Sequence, residues 1–192
     1  MTRSTEKLIG LLLLFAAAAF SVPSAAQETG GAFDRQFMGK MVHHHQMGID
    51  MAKDCIAKAS HDELKGLCQK IASDQQKENG TMRSWLAAWY NDKEAHTGHS
   101  EAMMKQGQQM MAKLKGLSGA EYEIRFMNEM SKHHREAVKD SEDCVSRASH
   151  PELKNLCTKM VADQRKQIEQ MHGWLCSWHK DCHEAASGRG SH

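Results

Sequence analysis

From Phe37 onward the apolar positions fall at intervals of three and four. Met38, Met41, His45 and Ile49 form one stripe of a helix, and His44, Met47 and Met51 form a second stripe beside it. Residues 127 to 140 repeat the first stripe as Met127, Met130, His134 and Val138, and carry His133, Glu136 and Asp140 in the second. Phe37 and Ile49 flank the first stripe, which therefore reads as the inward one. S-x-x-E boxes at Ser60/Glu63, Ser118/Glu121 and Ser149/Glu152 mark helix starts, and Pro151 suits a first helical turn. These signals predict helices over about 32–58, 61–91, 119–147 and 150–179. Asn79-Gly80 keeps the helical period on both sides, so the second helix is expected to run through it at a cost of about 1 kcal/mol.

The pattern is a duplication. FMGKMVHHHQ from Phe37 returns as FMNEMSKHHR from Phe126, an offset of 89 residues. The same offset relates Cys55 to Cys144, Cys68 to Cys157, Met82 to Met171, Trp85 to Trp174 and Trp89 to Trp178, with no gap. Two copies of one helical hairpin imply an all-α fold of two repeated antiparallel helix pairs. Between them lies an amphipathic segment bearing Met103, Met104, Met110 and Met111. It reads either as a cap on an open edge of the bundle or as a thioether-rich surface.

A short turn makes each hairpin antiparallel. If Cys55 faces Cys68, opposing residues in the first hairpin have numbers adding to 123, so Met41 faces Met82 and His45 faces Glu78. In the second hairpin Cys144 and Cys157 set the total at 301, so Met130 faces Met171 and His134 faces Gln167. The expected disulfides are Cys55–Cys68, Cys144–Cys157 and, at the end of the last helix, Cys176–Cys182. Thiolate metal ligation is the competing reading, the tail being Cys176-x-x-His179-x-x-Cys182-His183.

The N-terminus changes the compartment. Arg3 and Lys7 precede an apolar run from Leu8 to Phe20, and Ser24-Ala25-Ala26 supplies a small-residue cleavage site. Residues 1–26 read as a secretory signal peptide, the alternative being an uncleaved anchor. The run has 13 residues, short of the roughly 20 a membrane span needs. The expectation is export to the periplasm or medium, where disulfides persist. The units are then 27–92 for the first hairpin, 93–117 for the linker helix, 118–183 for the second hairpin and 184–192 for a flexible tail.

Composition narrows the chemistry. With 25 basic and 24 acidic residues the net charge is +1, which disfavours nucleic-acid binding. The excess lies in 14 Met and 13 His against 2 Pro. Methionine at helical spacing is commonly core filler. Here each hairpin also sets two adjacent histidines beside methionines and places another methionine opposite. Thioether and imidazole together suit soft and borderline cations, copper above all, whereas imidazole alone also accepts zinc or nickel. The candidate metal residues are Met38, Met41, His44, His45, Met47, Met51, Met82, Met127, Met130, His133, His134 and Met171.

The F-M-x-x-M-x-x-H-H signature at Phe37–His45 and Phe126–His134, with E-L-K-x-L, D-Q and M-x-x-W-L following, resembles an exported bacterial ferritin-like family known as domain of unknown function 305. The resemblance spans roughly 33–90 and 119–179. It implies an all-α, ferritin-like, up-and-down four-helix bundle built from the two repeated hairpins, and a periplasmic role linked in some members to copper binding and tolerance. It carries Met38, Met41, His44, His45 and Met82 with their counterparts Met127, Met130, His133, His134 and Met171. Gln167 departs from the pattern, standing where the first copy has Glu78.

The reading is a copper-capturing protein, not an enzyme, that takes up Cu(I), Cu(II) or Ag(I) and exchanges it with a periplasmic trafficking partner. A ferritin-like di-iron oxidoreductase would need Glu-x-x-His on two helices, and only Glu169-x-x-His172 matches. A disulfide-stapled interaction module without metal is the third reading.

Overall fold

The computed structural model describes residues 25–93 and 101–182. Residues 1–24 of the expected signal peptide, His96 and His99, and the tail from His183 lie outside them. The described residues are all helical, without strands: α1 Ala25–Lys58, α2 Asp62–Tyr90, α3 Glu101–Leu114, α4 Gly119–Arg147 and α5 Pro151–His179. α1 begins earlier than its periodicity predicts; the other boundaries fall within a residue of expectation, and Gly80 sits inside α2 with open space on its Cβ side. No helix among the described residues is long and apolar enough to cross a membrane.

α1 pairs with α2 and α4 with α5 along their lengths, α1 and α4 pack together at the centre, and α3 lies across both. The intra-hairpin register follows the predicted one. His45 Nε2 meets Glu78 Oε2 at 2.8 Å, and His134 Nε2 meets Gln167 Oε1 at 2.6 Å. The disulfides are Cys55–Cys68, Cys144–Cys157 and Cys176–Cys182, so no cysteine is left as a thiolate ligand. Each hairpin bridge closes a 13-residue separation, a loop length that stabilises by about 3 kcal/mol.

The capping boxes need correction. His61 and His150, not Ser60 and Ser149, are the N-caps of α2 and α5, and neither these nor Ser118 of α4 makes a side-chain cap bond. The turn amides are taken by the opposite hairpin instead. Glu123 Oε1, near the start of α4, accepts from the N–H of Ser60 at 2.7 Å and of His61 at 2.9 Å. Its repeat counterpart Asp34, near the start of α1, accepts from Ser149 N at 2.9 Å and His150 N at 3.0 Å. An ionised carboxylate is a stronger acceptor than a serine hydroxyl, and it docks the hairpins antiparallel, α1's start against α4's end.

α2 and α5 both end on a left-handed residue, Asn91 at φ 53° and Lys180 at φ 61°. Asparagine tolerates this region, whereas lysine carries a steric cost of about 1 kcal/mol that glycine avoids. Lys180→Gly is therefore expected to raise the melting temperature by roughly 2–4 °C in a calorimetric scan.

The core is divided. One apolar cluster joins Met51, Cys55, Leu64 and Ile71 to Phe126, Met127, Met130, Met171, Met110 and Leu114. The other joins Phe37, Met38, Met41, Met82 and Leu86 to Ala137, Leu153 and Met160. Between them, near the midpoint of each long helix, lies a buried polar layer: His44, His45, Gln75, Glu78, Asn79, His133, His134, Ser141, Gln164 and Gln167.

Candidate metal centre

The predicted site residues separate into three environments. Met38, Met41, Met82, Met127, Met130 and Met171 are buried in the two apolar clusters, each at 1% exposure or less. Met41 and Met82 share one cluster and Met130 and Met171 the other, consistent with the register. The hydroxyl of Ser131 donates to Met171 Sδ at 4.0 Å.

The histidines form the second environment, and adjacent ones part company. His45 is fixed within its own hairpin, Nδ1 to Met41 O at 3.0 Å and Nε2 to Glu78. His134 donates from Nε2 to Gln167, while its Nδ1 meets no hydrogen-bond partner. His44 and His133, equivalent in the repeat, instead meet each other between hairpins. Their rings stack at 3.8 Å and 2°, and His44 Nε2 donates to the carbonyl of His133 at 3.2 Å. Burial, reinforced by His45, lowers the pKa of His44 to about 3. Burial likewise holds His134 at about 4, against the raising effect of its bond to Gln167. Burial, then the neighbouring His44, pushes His133 well below its ordinary value. All three imidazoles are neutral at pH 7, the state in which the ring binds metal.

Neither ring nitrogen of His133 has a hydrogen-bond partner, nor does either amide atom of Gln75. Both groups crowd Gly48. A Cβ there would lie 2.3 Å from Gln75 Oε1 and 2.8 Å from His133 Nε2, so glycine is what lets them approach the helix. The central histidines do not assemble three imidazole or carboxylate donors around one point. Among the described residues the group that does is elsewhere, at His61, Glu123 and His179.

The third environment is where α3 lands. Met47 and Met51, from the second stripe of α1, meet α3, although Met51 also packs in the cluster that includes α2. With Met104, Met110 and Met111 they line a groove of about 350 Å³, flanked by Asp50, Gly107 and Gln108. Gly107 permits the contact, since a Cβ there would stand 2.9 Å from Met47 Sδ. Met110 also lines a smaller cavity of about 60 Å³ that borders His133, Glu129 and Glu136. The linker helix thus covers the bundle edge with Met110 and Leu114 and presents thioethers on its other side, Met104 being 47% exposed. Within each hairpin, periodicity predicts which residues face one another; where a separate helix docks depends on surfaces that periodicity does not pair.

Among the described residues no group of carboxylates and imidazoles corresponds to the di-iron reading. Glu169, its one sequence match, is exposed on α5 and does not enter the bundle.

Residues 34–175 match the family described as domain of unknown function DUF305. The chain belongs to the DUF305 family. Solved structures of CopM share its arrangement. The Cu(II)-bound form is 29% identical at a TM-score of 0.66, covering 76% of this chain and 97% of CopM. The Cu(I)-bound form is 29% identical at a TM-score of 0.65, with the same coverage. A DUF305 protein from Streptomyces coelicolor, described as secreted, is 28% identical at 0.65, covering 75% and 91% of the two chains. No curated protein matches. Within the DUF305 region of this chain, residues 34–175, fall all the thioethers of the groove and the whole polar layer.

Proposed function

We propose that this DUF305 chain is an exported, non-enzymatic copper-capturing protein on a ferritin-like four-helix frame, and that Cu(I) is its cargo. The carrying observation is the groove in which Met47, Met51, Met104, Met110 and Met111 converge from two helices. Thioether sulfur is a soft, uncharged donor that prefers Cu(I) and Ag(I) over harder ions. Asp50 at the edge adds a negative charge beside an incoming cation. His133 lines the adjoining cavity together with Met110, and neither of its ring nitrogens has a hydrogen-bond partner. The copper- and silver-bound forms of CopM support the same metal class for this chain.

On this reading the buried methionines that do not line the groove, Met38, Met41, Met82, Met127, Met130 and Met171, serve packing, and the groove takes the ion. The Met47→Leu/Met104→Leu/Met111→Leu variant keeps side-chain volume and removes three sulfurs. In competition with a colourimetric Cu(I) chelator at pH 7 its affinity is expected to fall by roughly a hundredfold, about 2.7 kcal/mol. Met38→Leu/Met82→Leu, inside a cluster, is expected to bind as the wild type does. Unchanged affinity in the triple variant would dismiss the groove as the site, and failure of the wild type to compete at all would dismiss copper capture.

A further inference from the structure

We propose a second metal site, for a borderline divalent cation such as Zn(II) or Cu(II), at the turn of the first hairpin, formed by His61, Glu123 and His179. It goes beyond the thioether groove in place, donor type and ion class. One donor atom from each residue lies within 4.8 Å of the other two. His61 Nδ1 is 2.7 Å from Glu123 Oε2, and His179 Nε2 is 3.3 Å from the same oxygen. Ligands around a four-coordinate zinc stand about 3.3 Å apart, given metal–ligand bonds near 2.0 Å, so small shifts suffice to place an ion among them.

The division of labour within Glu123 favours this use. Oε1 is consumed by the turn amides of Ser60 and His61, while Oε2 faces both imidazoles. The contact of His179 with that oxygen lacks hydrogen-bond geometry, and its Nε2 is left without a hydrogen bond although the side chain is only 6% exposed. A buried ring nitrogen aimed at a carboxylate already committed to another imidazole is poorly served by hydrogen bonding alone. The His61 ring lies flat on Trp178 at 4.0 Å and 7°, which fixes its plane. The Cys176–Cys182 bridge closes the chain around His179. His61 is 39% exposed at its side chain, providing entry and room for a solvent ligand.

The duplication contains its own control. At the other turn Asp34 stands for Glu123, His150 for His61 and Trp89 for Trp178, and the ring stacking is repeated at 3.9 Å and 3°. Where the first end has His179, however, the second has Tyr90, whose Oη lies 3.3 Å from His150 Nδ1. Burial, then Asp34, raises the Tyr90 pKa to about 12, so the phenol stays protonated and is a weak ligand. Only the first end has two imidazoles and a carboxylate.

The test uses the full, oxidised, metal-free protein titrated with Zn(II) by calorimetry and with Co(II) by its visible d–d absorbance. His179→Tyr, which copies the natural second end, is expected to remove one Zn(II) equivalent or weaken it at least roughly a hundredfold. It should also abolish the four-coordinate Co(II) band. Tyr90→His is expected to add an equivalent at the second end. His179→Gln, which preserves a polar side chain, guards against a folding effect of tyrosine, with melting curves recorded for all variants. Zn(II) stoichiometry and affinity indifferent to both His179 substitutions would overturn the site. The triple methionine variant should retain the Zn(II) equivalent, so loss of Cu(I) capture and loss of this site are separable results.

Discussion

Acidifying the metal-free protein from pH 7 to pH 5 is expected to unfold it, with stability falling steeply once the pH drops below about 6.5. Three buried histidines drive this: His44 with a pKa of about 3, His134 of about 4, and His133 well below its ordinary value, all through burial. In the unfolded chain each titrates near 6.5. Between pH 6.5 and about 4 the unfolded state therefore binds up to three more protons than the native one, and stability must rise with pH across that window. The stability is fully present above 6.5 and is lost as pH falls toward the native values. Each histidine contributes a slope of about 1.4 kcal/mol per pH unit. One unit below the window's upper edge the three together remove roughly 4 kcal/mol, a large part of a typical 5–15 kcal/mol. Below pH 4.5 Glu123 adds to the loss, because the bonds from His61 and Ser60 hold its carboxyl below the usual range against the effect of burial. Melting curves by circular dichroism at half-unit steps should be flat from pH 8 to 7 and drop below 6.5. A melting temperature unchanged between pH 7 and 5 would mean that the polar layer admits protons or water freely.

Under the proposed function, this expected acid sensitivity ties the fold to the copper it would carry. An apolar replacement of the polar layer would be more stable, since unpartnered imidazole and amide atoms are costly to bury. The layer nonetheless sits between two methionine-rich clusters, with His133 bordering the cavity that Met110 shares with the thioether groove. Buried polar groups kept at such a cost are placed where a ligand can use them.

The duplication made much of this legible. A gapless offset and a cysteine register were enough to place Met41 against Met82 and to pair His45 with Glu78 and His134 with Gln167. They could not show how the hairpins dock, because contacts between hairpins join residues more than a hundred apart in places and leave no local periodicity. His44 and His133 therefore read as partners of their neighbours, although they stack on each other. Met47 and Met51 read as companions of the hairpin stripe, although α3 claims them. The metal site proposed at the turn of the first hairpin has a signal in the duplication itself. Aligning the copies sets His61 against His150, Glu123 against Asp34 and His179 against Tyr90, so that one end has a third donor that the other lacks.

Asp34→Ala is expected to cost about 3–5 kcal/mol, enough to lower the melting temperature by roughly 10 °C. The side chain is fully buried, and four groups converge on it. Ser149 donates from its N–H and, at 2.7 Å, from its hydroxyl; His150 donates from its N–H, and its Nδ1 lies 2.7 Å away. Alanine would strand these donors at the second turn and release the start of α1 from the end of α4. The penalty comes from stranding them more than from losing a charge. Asp34→Asn retains an acceptor oxygen and should recover about half of the loss. Glu123→Ala removes the equivalent dock at the opposite end, so the double substitution should cost close to the total of the two singles, as distant sites do. Chemical denaturation of all four variants measures this. A loss below 1 kcal/mol for Asp34→Ala would mean that the helix-to-helix core alone holds the two hairpins together.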